Sequence, residues 1–463
     1  MRVSRVTIVL VVIAIVAGIA AVVVRRHATR EDPDEPRTYI PKPVTITPEL
    51  TLLQQYVAID TTNPPGNETA GARFLGALLA KNGIAYEIVE SAPGRGNLYA
   101  RIKGKQRGGA LLLIHHIDVM PAPPNGWTRP PFAAEIFANQ VYGRGALDMK
   151  GIGITQLAAF VDVARSHRTP EHDIIFLAVA DEERGGALGT EWLIAHRPDI
   201  FEGVRYALNE GGINEMESEK VTYFGIELGS KMAVEVDVRG ATREALQRAR
   251  IALEPFVAPR EPERILPEVR SFFRDIAPQR VTQRALLADI DRAIADGKFW
   301  LLPQGYRELT QNVVWPDKPV RDGDAWSMTV YLFNLPDEKP AARVEWLRQE
   351  VAPFGVTIGK VKRSMGPAPI TSRDTPLFAL LLREIRAEYG NVPAGSELLA
   401  ASFNDSRFLR ARGIDCYGIW PFPVDFFQTQ GIHGVDERVR TDWFAQGVRM
   451  MRKLVAAYAF EPN

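Results

Sequence analysis

Two short, wholly apolar runs in this chain stop abruptly at histidines and acids, and a third apolar stretch does the same. Residues 111–114 run into His115, His116, Ile117 and Asp118. Residues 174–180 run into Asp181, Glu182 and Glu183, and the apolar stretch before Asn209 runs into Glu210, Gly211 and Gly212. Runs of this kind form strands buried on both sides, which a parallel sheet achieves only with helices on both faces. Helical periodicity over residues 72–82 and 151–165 supplies such helices, so the pattern predicts an α/β fold. Sites in open α/β sheets collect beyond the carboxyl ends of the strands, where these polar groups fall.

The middle of the chain reads differently. Residues 231–239 and 326–335 alternate apolar and polar, as half-exposed strands do, and helical segments at 242–256 and 341–351 separate them from each other and from a strand at 355–361. This order predicts a small α+β domain inserted into the larger one over residues 229–363, with 262–304 as a helical excursion inside it. Helices resume at 376–388 and 444–458, so residues 49–228 and 364–463 together make the first domain.

The amino terminus is a separate object. Residues 6–24 carry no charge and are flanked by Arg2, Arg5, Arg25 and Arg26. About twenty apolar residues cross a bilayer as a helix, so residues 1–26 predict a single-pass anchor with the large domain outside the cytoplasm. Residues 27–48 carry Pro33, Pro36, Pro41, Pro43 and Pro48 and read as an extended linker.

With 56 basic against 56 acidic side chains the chain is formally neutral, which excludes a general nucleic-acid binder. Its single cysteine, Cys416, excludes an internal disulfide and a cysteine-rich zinc site, and reads as a buried small hydrophobe. The chemistry must come from the strand-end groups, from Asp148 between glycines at a loop-to-helix junction, and from His433 in a loop before the last helix. Taken singly, these motifs also fit a surface turn, a helix cap or a solvated loop. Together they make a nitrogen and oxygen donor set without thiolate, which suits zinc, manganese or cobalt. In Glu182–Glu183, one glutamate can ligate metal while its neighbour acts as general base.

Residues 58–66, the string from His116 through Trp127, Pro131 and Phe132 to Gly143–Gly151, and the Asn209-Glu210-Gly211-Gly212 and Asn404–Phe408 motifs carry a family resemblance over almost all of residues 49–460. The chain resembles the co-catalytic dizinc metallopeptidases that include aminoacylase, glutamate carboxypeptidase, succinyl-diaminopimelate desuccinylase and carnosinase. Within them it is most similar to the N-fatty-acyl-amino-acid synthase/hydrolase branch. The resemblance implies a mixed sheet with helices on both faces and an inserted, ferredoxin-like lid. It implies two divalent metal ions, with His116 and Glu210 on one, Glu183 and His433 on the other, and Asp148 bridging. Asp118 would support His116, and Glu182 would be the general base for a water between the metals. Arg407 matches a position that binds the substrate's carboxylate, and Asn312 a lid asparagine that contacts substrate. The expected substrates are small peptides or N-acyl amino acids.

The pattern breaks in the insert. The family's Gly-His-Ser-Ser type turn after the first lid strand is replaced by Gly240-Ala241-Thr242, and the lid strand's arginine is replaced near Phe333. Arg239 or Tyr331 could substitute for the missing donor, although the sequence gives no geometric warrant for either. Dimerisation through the insert, which the family uses, is less secure here. The competing expectation is a metal-binding but catalytically silent scaffold whose altered lid binds a partner. His115 reads as packing beside the ligand, and His167, His172 and His196 as surface residues.

Overall fold

The computed structural model describes residues 45–461 apart from 213, 218–219, 255–262, 365–368 and 400–403. The apolar segment 6–24 and all of the linker before residue 45 lie outside the described residues. Among those described, no helix is long and apolar enough to cross a membrane.

The strand Ala110–His116 is buried at every position, and its side chains alternate between two cores. Leu111 and Leu113 join the core that holds the helices Lys150–Arg165 and Thr441–Phe460, while Ala110, Leu112 and Ile114 join a core with Leu193, Ile200 and Cys416 on the other face. Cys416 is buried there, and burial pushes its thiol up to about 12, so it stays protonated.

This strand lies inside a nine-stranded mixed sheet. It pairs in parallel with Ile174–Val179 on one side and Val204–Asn209 on the other, and the latter pairs in parallel with Asp415–Gly418. Three neighbouring parallel strands therefore end together, at His116, before Asp181 and before Glu210. Antiparallel strands Tyr86–Glu90 and Gly96–Ile102 close one edge, and Lys220–Ser230 with Ala394–Leu399 close the other.

A second sheet of five antiparallel strands falls within the predicted insert. Met232–Gly240 pairs with Ala325–Asn334 and Val356–Ser364, and helices Arg243–Leu253 and Pro340–Val351 cover one face through Leu246, Ala249, Leu253, Leu347 and Val351. Two short strands missed by the periodicity, Val313–Pro316 and Val320–Asp322, extend it. The turn after the first lid strand starts a helix, with the Thr242 hydroxyl accepting from the Ala245 N–H at 3.2 Å.

One expectation is corrected. The excursion does not pack within the lid: Val269, Phe272, Phe273, Ile276, Leu287 and Ile290 join the main core, and the helix Pro267–Ile276 covers the strand Ala394–Leu399.

Candidate metal and catalytic site

His116 is the last residue of its strand, and its ring reaches Asp148 and Glu210, while the alternation of the strand turns His115 into the core. His115 is fully buried beside Tyr56 and Phe176, and burial holds its imidazole down to about 3, hence neutral. The His116 Nδ1 donates to the backbone carbonyl of Asp118 at 2.8 Å, which leaves Nε2 facing the acids. The Asp118 carboxylate, expected to perform that support, lies 3.7 Å from Nδ1. It instead accepts the backbone N–H groups of Glu182 at 3.1 Å and Glu183 at 3.2 Å. Asp118 thus shapes the turn carrying both glutamates.

Asp148 stands just before the helix Lys150–Arg165, and its two oxygens reach different histidines. His116 Nε2 lies 3.0 Å from Oδ1 and His433 Nε2 lies 3.0 Å from Oδ2. His433 is also 3.0 Å from Glu183 Oε2, and Glu210 Oε1 is 3.7 Å from His116 Nε2. Two groups of donor atoms result, His116–Asp148–Glu210 and Asp148–Glu183–His433, each with its donor atoms within 4.8 Å of one another.

The electrostatics call for cations. Burial and then Glu210 push Glu182 well above the usual carboxylate range, and burial followed by Asp148 pushes Glu183 up to about 7 and Glu210 up to about 8. Burial alone would lower the histidines, yet bonds to Asp148 and Glu183 raise His433 to about 11, and Glu210 with Asp148 raises His116 well above its ordinary value. Burial would raise Asp148, but both histidines hold it well below its usual value. So many acids stay together without metal only by borrowing protons. Two divalent ions fit this donor set in charge and in ligand type.

These acids line a cavity of about 320 Å³, and Trp420, Val424 and Ile432 add apolar surface to its lining. Arg407 is buried nearby, its Nη2 donating to the Gly185 carbonyl at 2.8 Å. Burial lowers its guanidinium while Asp405 and Glu182 work to raise it. Asn312 is not brought to the cavity: its Oδ1 accepts the Leu335 N–H at 2.8 Å within the lid. Nor do Arg239 and Tyr331 line it, since Arg239 pairs with Asp237 at 2.7 Å in the lid sheet.

Several supporting residues escaped the sequence reading. Glu437 Oε1 accepts from the backbone of Leu147 at 2.8 Å and Asp148 at 3.0 Å, and its Oε2 pairs with Arg144 at 2.6 Å. Asn63 donates to Asp118 at 2.9 Å and Asp181 at 3.0 Å, and Arg95 joins Asp181 to Glu68. Position was the only signal available: Glu437 follows His433 closely, and Asn63 lies in the segment that carries the resemblance.

The sequence matches the peptidase family M20/M25/M40 over residues 112–457. The chain belongs to that family. Human aminoacylase-1 is 28% identical over 428 residues, covering 90% of this chain and 96% of its own. Among solved structures, an M20 family metallo-carboxypeptidase from Sulfolobus solfataricus superposes with TM-score 0.68 at 16% identity, covering 89% of this chain and 99% of its own. Human carnosine dipeptidase 1 does so with TM-score 0.68 at 15% identity, covering 88% and 95%. These two structures bear on the fold, a catalytic domain with a lid. This M20 peptidase is accordingly a metallopeptidase or amidohydrolase of a metal-dependent family, acting on peptide or acyl-amino-acid bonds.

Proposed function

We propose that the protein hydrolyses the amide bond of small peptides or N-acyl amino acids that carry a free carboxylate, with Glu182 as general base. The observation that carries this reading is the Asp148 carboxylate shared between His116 and His433, with Glu182 lining the same cavity. His116, Asp148 and Glu210 would hold one divalent ion, and Asp148, Glu183 and His433 the other. Bound ions of this kind polarise an amide carbonyl and lower the pKa of water. Glu182 takes the proton of the attacking water at its carboxylate and delivers it to the leaving nitrogen. Asp118 positions Glu182 through the backbone bond described above. The apolar surface of Trp420, Val424 and Ile432 receives an uncharged side chain or acyl group, and Arg407 the carboxylate. The segment 6–24, by its length and flanking arginines, would anchor this body to a membrane, outside the cytoplasm.

The test is turnover of a panel of dipeptides and N-acyl amino acids by the full chain loaded with zinc, manganese or cobalt. Glu182→Gln is expected to lower kcat by about 10²–10⁴ while bound metal is retained. Unchanged turnover in that variant would remove Glu182 from the role.

A further inference from the structure

The buried Arg144 side chain is joined to all three ligands of one metal position. Its Nη1 pairs with Glu437 Oε2 at 2.6 Å, and Glu437 Oε1 accepts the backbone N–H groups of Leu147 and Asp148. Its Nη2 donates to the carbonyl of Gly434, the residue after His433, at 2.8 Å. Its Nε donates to the Met120 carbonyl at 3.0 Å, and the Met120 N–H in turn donates to Glu183 Oε1 at 3.2 Å. Asp148, His433 and Glu183 are thus tied to a single guanidinium. Of the ligands of the other position, these bonds reach Asp148 alone.

The two histidines are also seated differently. His116 ends a buried strand, and its ring is fixed from behind by the Asp118 carbonyl. His433 lies exposed in a loop at φ +57°, a left-handed conformation that a histidine keeps only where its surroundings enforce it. Asp148, Glu183 and His433 come from three separate turns, so the distances among their donor atoms depend on what joins those turns. A planar guanidinium can meet several acceptors at fixed angles, whereas a lysine ammonium is a compact point charge. We propose that Arg144, through Glu437, Gly434 and Met120, is a positioning residue for the metal position of Asp148, Glu183 and His433, and that the position of His116, Asp148 and Glu210 forms without it; this rests on the two-metal reading above. One position is built into the end of a strand. The other is assembled from three turns by one buried side chain.

The test adds cobalt to the metal-stripped full chain, followed by calorimetry, in two backgrounds that each leave one position intact. Glu210→Gln leaves the position of Asp148, Glu183 and His433, and His433→Gln leaves the other. Adding Arg144→Lys should weaken cobalt binding about tenfold to a hundredfold in the Glu210→Gln background and leave it unchanged in the His433→Gln background. Lysine keeps a cation beside Glu437, so no buried carboxylate is left unpaired and the support of Asp148 persists. A loss of fold stability alone would weaken both backgrounds alike, and melting temperatures with chelator present measure it. If Arg144→Lys does not fold, the pair Arg144→Met with Glu437→Gln removes both charges, keeps an oxygen toward the Asp148 N–H and gives the same comparison. Equal weakening in the two backgrounds, or none in Glu210→Gln, overturns the role of Arg144. An unmodified chain that binds no pair of ions overturns the two-metal reading and this proposal together, whereas two ions bound without the asymmetry overturn this proposal alone.

Discussion

Asp148 shows how one residue organises a site. Its oxygens each face a histidine, its backbone N–H is held by Glu437, and the glycine turn before it lets the chain approach closely. Without metal, the raised pKa values of Glu183, Glu210 and His433 mean that the folded protein binds protons more tightly than the unfolded chain. Such groups add stability at low pH that is lost as pH rises through their folded values. Neutral His115 contributes one proton of opposite sign below its ordinary pKa, and Lys150 and Lys231, both lowered by burial to about 7, oppose the trend only above that pH. The metal-stripped protein should therefore lose stability between pH 5 and 7, by about 1.4 kcal/mol per pH unit for each net proton. Restoring zinc should flatten that slope. Melting curves at several pH values, with and without chelator, measure both.

The working elements are the turns between strands and helices, and each is shaped from behind. Asp118 holds the Glu182–Glu183 turn, while the Glu210 turn depends on Gly212. That glycine has φ +74°, and a side-chain carbon there would lie 2.3 Å from the Gly225 carbonyl oxygen. Gly212→Ala should destabilise the fold by about 1–3 kcal/mol from backbone strain, before the clash is counted. It should also move Glu210 and weaken metal binding. Denaturant midpoints and metal stoichiometry would show the two effects together, and a variant with wild-type values in both would contradict this account of the turn. The strands and ligand-bearing ends of these elements are legible in sequence because burial on both faces leaves a continuous apolar run. The role of Asp118 is not legible, because His-x-Asp spacing cannot distinguish a carboxylate contact from one made by the same residue's carbonyl.

At the scale of the whole molecule, the helical excursion belongs to the catalytic body although it is threaded through the lid's sequence. Phe272, Phe273 and Ile276 join the core of the catalytic body, and Lys231, where the main sheet passes into the lid sheet, donates to the carbonyls of Glu308 and Gln311. Phe273→Ala should cost about 3–5 kcal/mol, as a fully buried aromatic does. The loss should appear in the unfolding of the catalytic body, read by the stability of the metal site. If that site kept its full stability, the excursion would belong energetically to the lid.

By itself the sequence determined the α/β class, the order of the main elements and the ligand candidates, since strand burial and helical periodicity are local patterns that neighbouring residues must satisfy. Tertiary structure alone decided which acid serves which partner. Glu437 and Arg144 are 293 positions apart, and nothing in the short acidic pair Asp436–Glu437 marks one as a buried support and the other as a surface acid. Like charges are interchangeable along a chain; burial and proximity in the folded molecule separate them, because the strength of each pairing depends on distance and on the water excluded around it.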